Sequence, residues 1–158
     1  MRKLLLLALC LVLTAGVASA GGMKTLTLGD SQYSVNVPES FVNGEVTDED
    51  KAEGQVAYYK SDETTLDFDV YQLSGNGTLE EFAATDAKAF GNTEAVTSRE
   101  INGVKVSSYR SSQESEGETY DTIAYVFGGE GKYIRLVFWL DGNNAEAEAE
   151  AIITSLKK

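Results

Sequence analysis

Apolar and polar positions alternate over several short stretches of the chain. Thr25 to Leu28 alternates, as does Tyr33 to Val37, where Tyr33, Val35 and Val37 share a face. Gly29-Asp30 turns between them and Pro38 ends the second. Glu39 to Gly54 has little periodicity and carries several acids, so it reads as a loop with room for a helical turn. Val56 to Lys60 and Leu66 to Leu73 read as strands joined through Ser61-Asp62-Glu63-Thr64. Further strands are expected over Val96 to Ile101, Val104 to Ser111, Thr119 to Phe127 and Tyr133 to Leu140. Asn102-Gly103 is a strong hairpin signal, because a two-residue type I′ turn needs positive φ at both positions. Ser112 to Gly117 is polar and acidic and reads as a solvated loop, and Gly128-Gly129-Glu130-Gly131 marks the last turn.

The period changes to that of a helix twice. Leu79, Phe82, Ala83, Ala87 and Phe90 fall on one helical face, with Thr78 and Glu81 spaced as a capping box and Gly91 as the stop. Ala145, Ala149, Ile152, Ile153 and Leu156 make a second apolar stripe. Asn143 and Glu146 are spaced to cap it. Glu146, Glu148 and Glu150 early, with Lys157 and Lys158 late, suit the helix dipole. Strands, helix, strands, helix imply an α+β domain with a largely antiparallel β-sheet flanked by two main helices.

The first twenty residues lie outside this pattern. Arg2 and Lys3, the apolar run Leu4 to Leu13, and Ala18-Ser19-Ala20 make a secretory signal peptide with cleavage expected after Ala20. The run is shorter than the roughly 20 residues that cross a bilayer, and nothing later is expected to span one. The expectation is a signal at residues 1–20 and a single α+β domain at 21–158, exported to the periplasm or secreted.

The chain has 158 residues, 25 Asp plus Glu against 13 Lys plus Arg, no His and one Cys, with a net charge of −12. Loss of the signal removes Cys10 and two cations, leaving the exported part more acidic still. Without His or Cys there is no Ser-His-Asp or Cys-His triad, no thiolate nucleophile and no His/Cys zinc site. The acidity argues against nucleic acid, which calls for clustered Lys and Arg, and against anionic membrane surfaces.

Five features in order carry a resemblance. They are the strand from Tyr33 to Pro38, the Leu66 to Leu73 strand before the Leu79/Phe82 helix, the Ile101-Asn102-Gly103-Val104 hairpin, the Tyr133 to Leu140 strand, and a short last helix ending Ile153-Thr154-Ser155-Leu156. Together they resemble the PsbP-like family of α/β/α sandwich domains. That family includes extrinsic photosystem subunits, a Ran-binding nuclear import factor and exported bacterial proteins of unknown role. The resemblance implies a sandwich fold and a non-enzymatic role. It carries over no functional residue.

Candidate chemistry is limited to a few constellations. Asp67 and Asp69 share one face of a strand and could act as acid and base on a glycan, although alternation alone predicts a solvated polar row there. Asp48, Asp50 and Glu53 approach a Ca²⁺ loop but lack its central Gly, which favours a solvated loop. Tyr133, Arg135, Val137 and Trp139 share one face of the last strand, and Ile134, Leu136, Phe138 and Leu140 share the other, as in a sheet covered on both sides. Interfaces are enriched in the same residue types. Asp67, Asp69, Tyr133, Arg135 and Trp139 are therefore the candidates for an interaction surface. Asn76-Gly77-Thr78 is a glycosylation sequon in which Thr78 already serves as a cap. No catalytic, cofactor or metal residue is assigned. The expected function is a binding module for another protein or a cell-envelope component. The alternatives are a carboxylate-based glycan hydrolase and a calcium-dependent module.

Overall fold

The computed structural model describes residues 21–92, 94–115 and 117–158, so the signal peptide expected at residues 1–20 lies outside it. The elements are β1 (Met23–Thr27), β2 (Ser34–Pro38), β3 (Val42–Asn43), α1 (Asp48–Ala52), β4 (Gln55–Lys60), β5 (Leu66–Ser74), α2 (Leu79–Ala89), β6 (Thr97–Ile101), β7 (Val104–Ser115), β8 (Glu118–Gly129), β9 (Lys132–Leu140) and α3 (Ala145–Thr154). Seven strands form one antiparallel sheet in the order β3-β4-β5-β9-β8-β7-β6, and β1 and β2 form a separate hairpin.

The two faces of this sheet carry two cores. On one face, Leu66, Phe68 and Val70 of β5, Ile134, Leu136 and Phe138 of β9, and Tyr125 and Phe127 of β8 pack with Ala149, Ile152 and Ile153 of α3. Leu28, Val35 and Val37 of the β1–β2 hairpin join the same core. The hairpin is fastened to the helix end, where Asn36 N donates to Ser155 Oγ at 2.7 Å and Ser34 exchanges two backbone hydrogen bonds with Lys157. On the other face, Leu79, Ala83 and Ala87 of α2 cover Tyr109, Ala124, Val126, Tyr133 and Val137. The result is an α+β sandwich with a large antiparallel sheet between helical layers.

The Thr78 cap forms as its spacing implies: the Thr78 side chain accepts from Glu81 N, and the Glu81 side chain accepts from Thr78 N. Asn102 and Gly103 take φ of 48° and 81°, with Ile101 and Val104 paired across them. A second turn of this kind occupies Glu130 and Gly131, at φ 55° and 79°.

Three local expectations are corrected. Ser112 to Ser115, expected in a loop, belong to β7. β7 and β8 stay paired past Ser112↔Asp121 to Glu114↔Thr119, as a polar ladder reaching beyond their neighbours. Solvation explains the composition, and backbone pairing explains the conformation. Asn143 does not cap α3 and Glu146 makes no capping box. The helix starts at Ala145 behind Asn144, which has helical dihedrals and no side-chain cap, while Glu146 is held in an ion pair by Arg110 of β7. Lys157 and Lys158 lie past the end of α3, and the helix's last turn has no basic residue. Instead the Asn102 amide donates to the oxygens of Thr154 and Leu156, at 3.0 and 2.9 Å. The helical turn allowed for between Glu39 and Gly54 forms as α1, with its own capping box between Thr47 and Asp50.

Candidate functional site

Seven strands spaced about 4.8 Å apart span roughly 30 Å, whereas a helix with its side chains is about 10–12 Å wide. α2 packs on β7 and β8 and reaches Tyr133 and Val137 of β9. Its face of β4 and β5 is left with only the five-residue α1 beside it. The uncovered part is a cleft of about 660 Å³. Its floor comes from alternate residues of four strands: Gln55 and Tyr58 of β4, Asp67, Asp69 and Tyr71 of β5, Tyr120 of β8 and Trp139 of β9. Its rim carries Glu45, Thr47, Asp50, Thr65 and Asp141.

Strand register brings these residues together. Tyr58 lies opposite Asp69, and Asp67 opposite Trp139. The Tyr58 hydroxyl donates to Asp67 Oδ2 at 2.6 Å. Asp69 is only 6% exposed. It accepts from Trp139 Nε1 at 2.6 Å and from Gln55 Nε2 at 2.7 Å. Tyr120 meets Trp139 edge-on, with ring centroids 6.1 Å apart.

Burial pushes the Asp69 carboxyl up from its ordinary 3.8 to about 6, and the charges of Asp50 and Asp67 add to the rise. The Trp139 hydrogen bond and Arg135 work in the opposite direction. Burial also raises the Tyr58 phenol, reinforced by its bond to Asp67 and that residue's charge. The Tyr71 phenol is pushed up to about 12, again chiefly by burial.

The wall between the cleft and α2 is an enclosed cation. Arg135 lies between the rings of Tyr71 and Phe90, 4.1 Å from each centroid, and its Nη1 donates to Asp86 Oδ1 at 2.8 Å. Asp86 Oδ2 also accepts from the Tyr109 hydroxyl at 2.7 Å. Among the described residues, Arg135 Nε has no hydrogen-bond partner.

The five candidate surface residues thus share one face but not one environment. Asp67, Asp69 and Trp139 border the cleft. Tyr133 and Arg135, 2% and 4% exposed, lie beneath α2 and present no surface. Tyr133 stacks on Phe82 at 4.0 Å and donates to Gly77 O. The solvated row expected at Asp67 and Asp69 is corrected as well, because Trp139 and Gln55 enclose Asp69. Sequence patterning does not single out Tyr58, Tyr71, Tyr120 or Gln55. The alternation of β4 carries a signal for Tyr58, but only strand pairing places it beside the two aspartates.

Asp50 is committed to the cap of α1, and Asp48 pairs with Lys51. Among the described residues, no group of three or more His, Cys, Asp or Glu side chains could hold a metal ion. Also among these residues, no helix is long and apolar enough to cross a membrane. A second depression of about 410 Å³, beside α2, is lined by Glu80, Lys88, Asn92 and Glu94 with Ala84, Ala87 and Val96, and has no aromatic ring in its lining.

The fold has known counterparts. The solution structure of cyanobacterial PsbP (CyanoP) from Synechocystis sp. PCC 6803 is similar, with a TM-score of 0.60 at 12% identity over 91% of this chain and 96% of that one. A crystal structure from Bacteroides thetaiotaomicron VPI-5482 is similar with a TM-score of 0.56 at 16% identity. It matches 79% of this chain, which spans only 44% of that protein's length. No family model matches the sequence, and no curated protein matches it. The chain has a PsbP-like fold, as the resemblance implied, and fold alone assigns no activity.

Proposed function

We propose that this protein is an exported, acidic, non-catalytic module that binds another protein or a cell-envelope component through the open half of the α2 face. The observation that carries this reading is the cleft over β4, β5, β8 and β9, where Tyr58, Tyr71, Tyr120 and Trp139 meet the carboxylates of Asp67 and Asp69. Concave sites that combine aromatic surface with a few converging polar groups are where ligands bind. Export rests on the Arg2-Lys3, Leu-rich and Ala18-Ser19-Ala20 sequence, and the exported protein is expected to begin at Gly21 on N-terminal sequencing.

The hydrolase alternative has one observation in its favour, the raised Asp69 carboxyl. Against it, glycosidases place two carboxyls on either side of the scissile bond, about 5 to 10 Å apart. Asp67 and Asp69 lie side by side on one strand and do not face each other across the cleft, and Asp69 is almost closed off from solvent.

The test is a pull-down of the exported protein from its own host's envelope fraction, alongside Asp67→Lys and Tyr120→Ala. A partner retained by the parent and lost by both variants supports the reading. A partner held equally by all three moves docking off this cleft.

A further inference from the structure

We infer that the cleft takes a cationic side chain, a lysine or arginine carried on a basic segment of a partner protein. The inference rests on the cleft being the binding site, as proposed above, and adds the chemistry of the ligand.

Three observations carry it. The first is charge. Glu45, Asp50, Asp67 and Asp141 ring the cleft around Asp69, and among the described residues no Lys or Arg opens onto it, Arg135 lying enclosed behind its wall and paired with Asp86. The second is that no ion pair among the described residues engages these carboxylates, so their charges stand together on one concave surface. The ion pairs formed among the described residues are Lys51–Asp48, Arg99–Glu150, Lys105–Glu80, Arg110–Glu146 and Arg135–Asp86. None involves Asp67, Asp69, Glu45 or Asp141. Asp67 and Asp69 are instead held by neutral donors, a phenol, an indole and an amide. The mutual repulsion that helps to raise the Asp69 carboxyl is what an incoming cation would relieve.

The third observation is the aromatic lining. Ring faces attract ammonium and guanidinium groups within about 6 Å of the centroid. The wall of the cleft already displays this chemistry, with Arg135 held over Tyr71. That face of Tyr71 is occupied, so the incoming cation is assigned to the Tyr58, Tyr120 and Trp139 end, beside Asp67. An anionic ligand is repelled there. A neutral glycan could use the rings but gains nothing from the gathered negative charge.

Trp139 is the only tryptophan of the chain and lines the cleft, so its fluorescence reports occupancy. The exported protein is titrated with hexa-arginine and hexalysine peptides, spermidine, hexaglutamate and a neutral hexasaccharide, with calorimetry in parallel. The expected result is a saturable change in Trp139 emission with the basic peptides only. Asp67→Asn with Asp141→Asn should weaken their binding about tenfold, while Asp62→Asn with Glu63→Gln on the β4–β5 turn should not.

Equal weakening by the remote pair would mean general attraction to an acidic protein, and would overturn the assignment. Spermidine binding as tightly as the peptides would make the ligand a free amine, and would overturn the assignment to a protein segment. A response to the hexasaccharide in place of the peptides would refute a cation while leaving the cleft as a binding site. Silence with every probe would refute the cation, and the pull-down with Asp67→Lys then decides whether the cleft binds a partner at all.

Discussion

Arg135 of β9 and Asp86 of α2 form a buried ion pair at 2.8 Å, with side chains 5% and 10% exposed, and so tie the helix to the sheet at the wall of the cleft. Removing one member of such a pair leaves an uncompensated charge inside the protein, at a typical cost of about 3–5 kcal/mol. Asp86→Ala is therefore expected to destabilise by about that amount in urea melts, and it also strips the Tyr109 hydroxyl of its acceptor. The double variant Asp86→Leu with Arg135→Met should recover most of the loss. A single variant melting within about 1 kcal/mol of the parent would contradict this account of the pair.

Asp69 gives stability a defined pH dependence. Its carboxyl is raised from 3.8 to about 6, by burial first and then by Asp50 and Asp67. The folded protein thus binds this proton more tightly than the unfolded chain does. The stabilisation is complete below about pH 4 and is lost as pH rises through about 6. Asp69→Asn removes the titration and can still accept from Trp139, with the Gln55 amide turned so that its oxygen accepts from the new NH2 group. Relative to the parent, it should gain stability as pH rises from about 4 to about 6 and keep that gain at higher pH. The gain is at most about 3 kcal/mol, since each tenfold difference in proton affinity between the folded and unfolded states is worth about 1.36 kcal/mol. Parallel stability-versus-pH curves for the two proteins would show that Asp69 does not titrate in this way.

At Gly103, φ is +81° and nothing lies within 4 Å of where a Cβ would be. Gly103→Val therefore tests backbone conformation without a clash. The expected cost is at least about 1 kcal/mol, because a β-branched residue is strongly disfavoured there. Coincident urea melts of variant and parent would contradict the type I′ geometry.

Ile152 and Ile153 of α3 and Leu156 just beyond it are buried in the core under β5, β8 and β9. Ile152→Ala is expected to cost about 2–5 kcal/mol, and Ile152→Asp to unfold the protein or remove most of its thermal stability. An Ile152→Asp protein that melts like the parent but loses its partners would move the binding surface onto α3.

Local signals and long-range ones differ in how far the sequence discloses them. The Thr78–Glu81 cap, the Asn102-Gly103 turn and the α3 stripe are specified by residues within a few positions of one another, and each forms. The spacing of Asn143 and Glu146 misplaces the start of α3 because Glu146 is drawn away by Arg110, whose position depends on strand pairing. The cleft is only half legible for the same reason. Alternation places Asp67 and Asp69 on one face, but one of the two donors to Asp69 is an indole 70 residues along the chain. Nor does alternation reveal which part of a face a helix covers, and that coverage separates buried Arg135 from the lining residue Trp139.

The strand order has a consequence for how this molecule folds. β3-β4-β5 is one meander, β6-β7-β8-β9 is another, and only the β5–β9 ladder joins them. α2 lies between the two in sequence, so each meander can zip up by near-neighbour contacts while the seam awaits a pairing across about half of the chain. Closing so long a loop must precede the contacts that reward it, and this slows folding. Until the seam closes, β5 presents an open edge carrying Leu66, Phe68 and Val70. The slowest step of folding and the moment of greatest exposure to aggregation should therefore be the same event, the docking of β9 against β5.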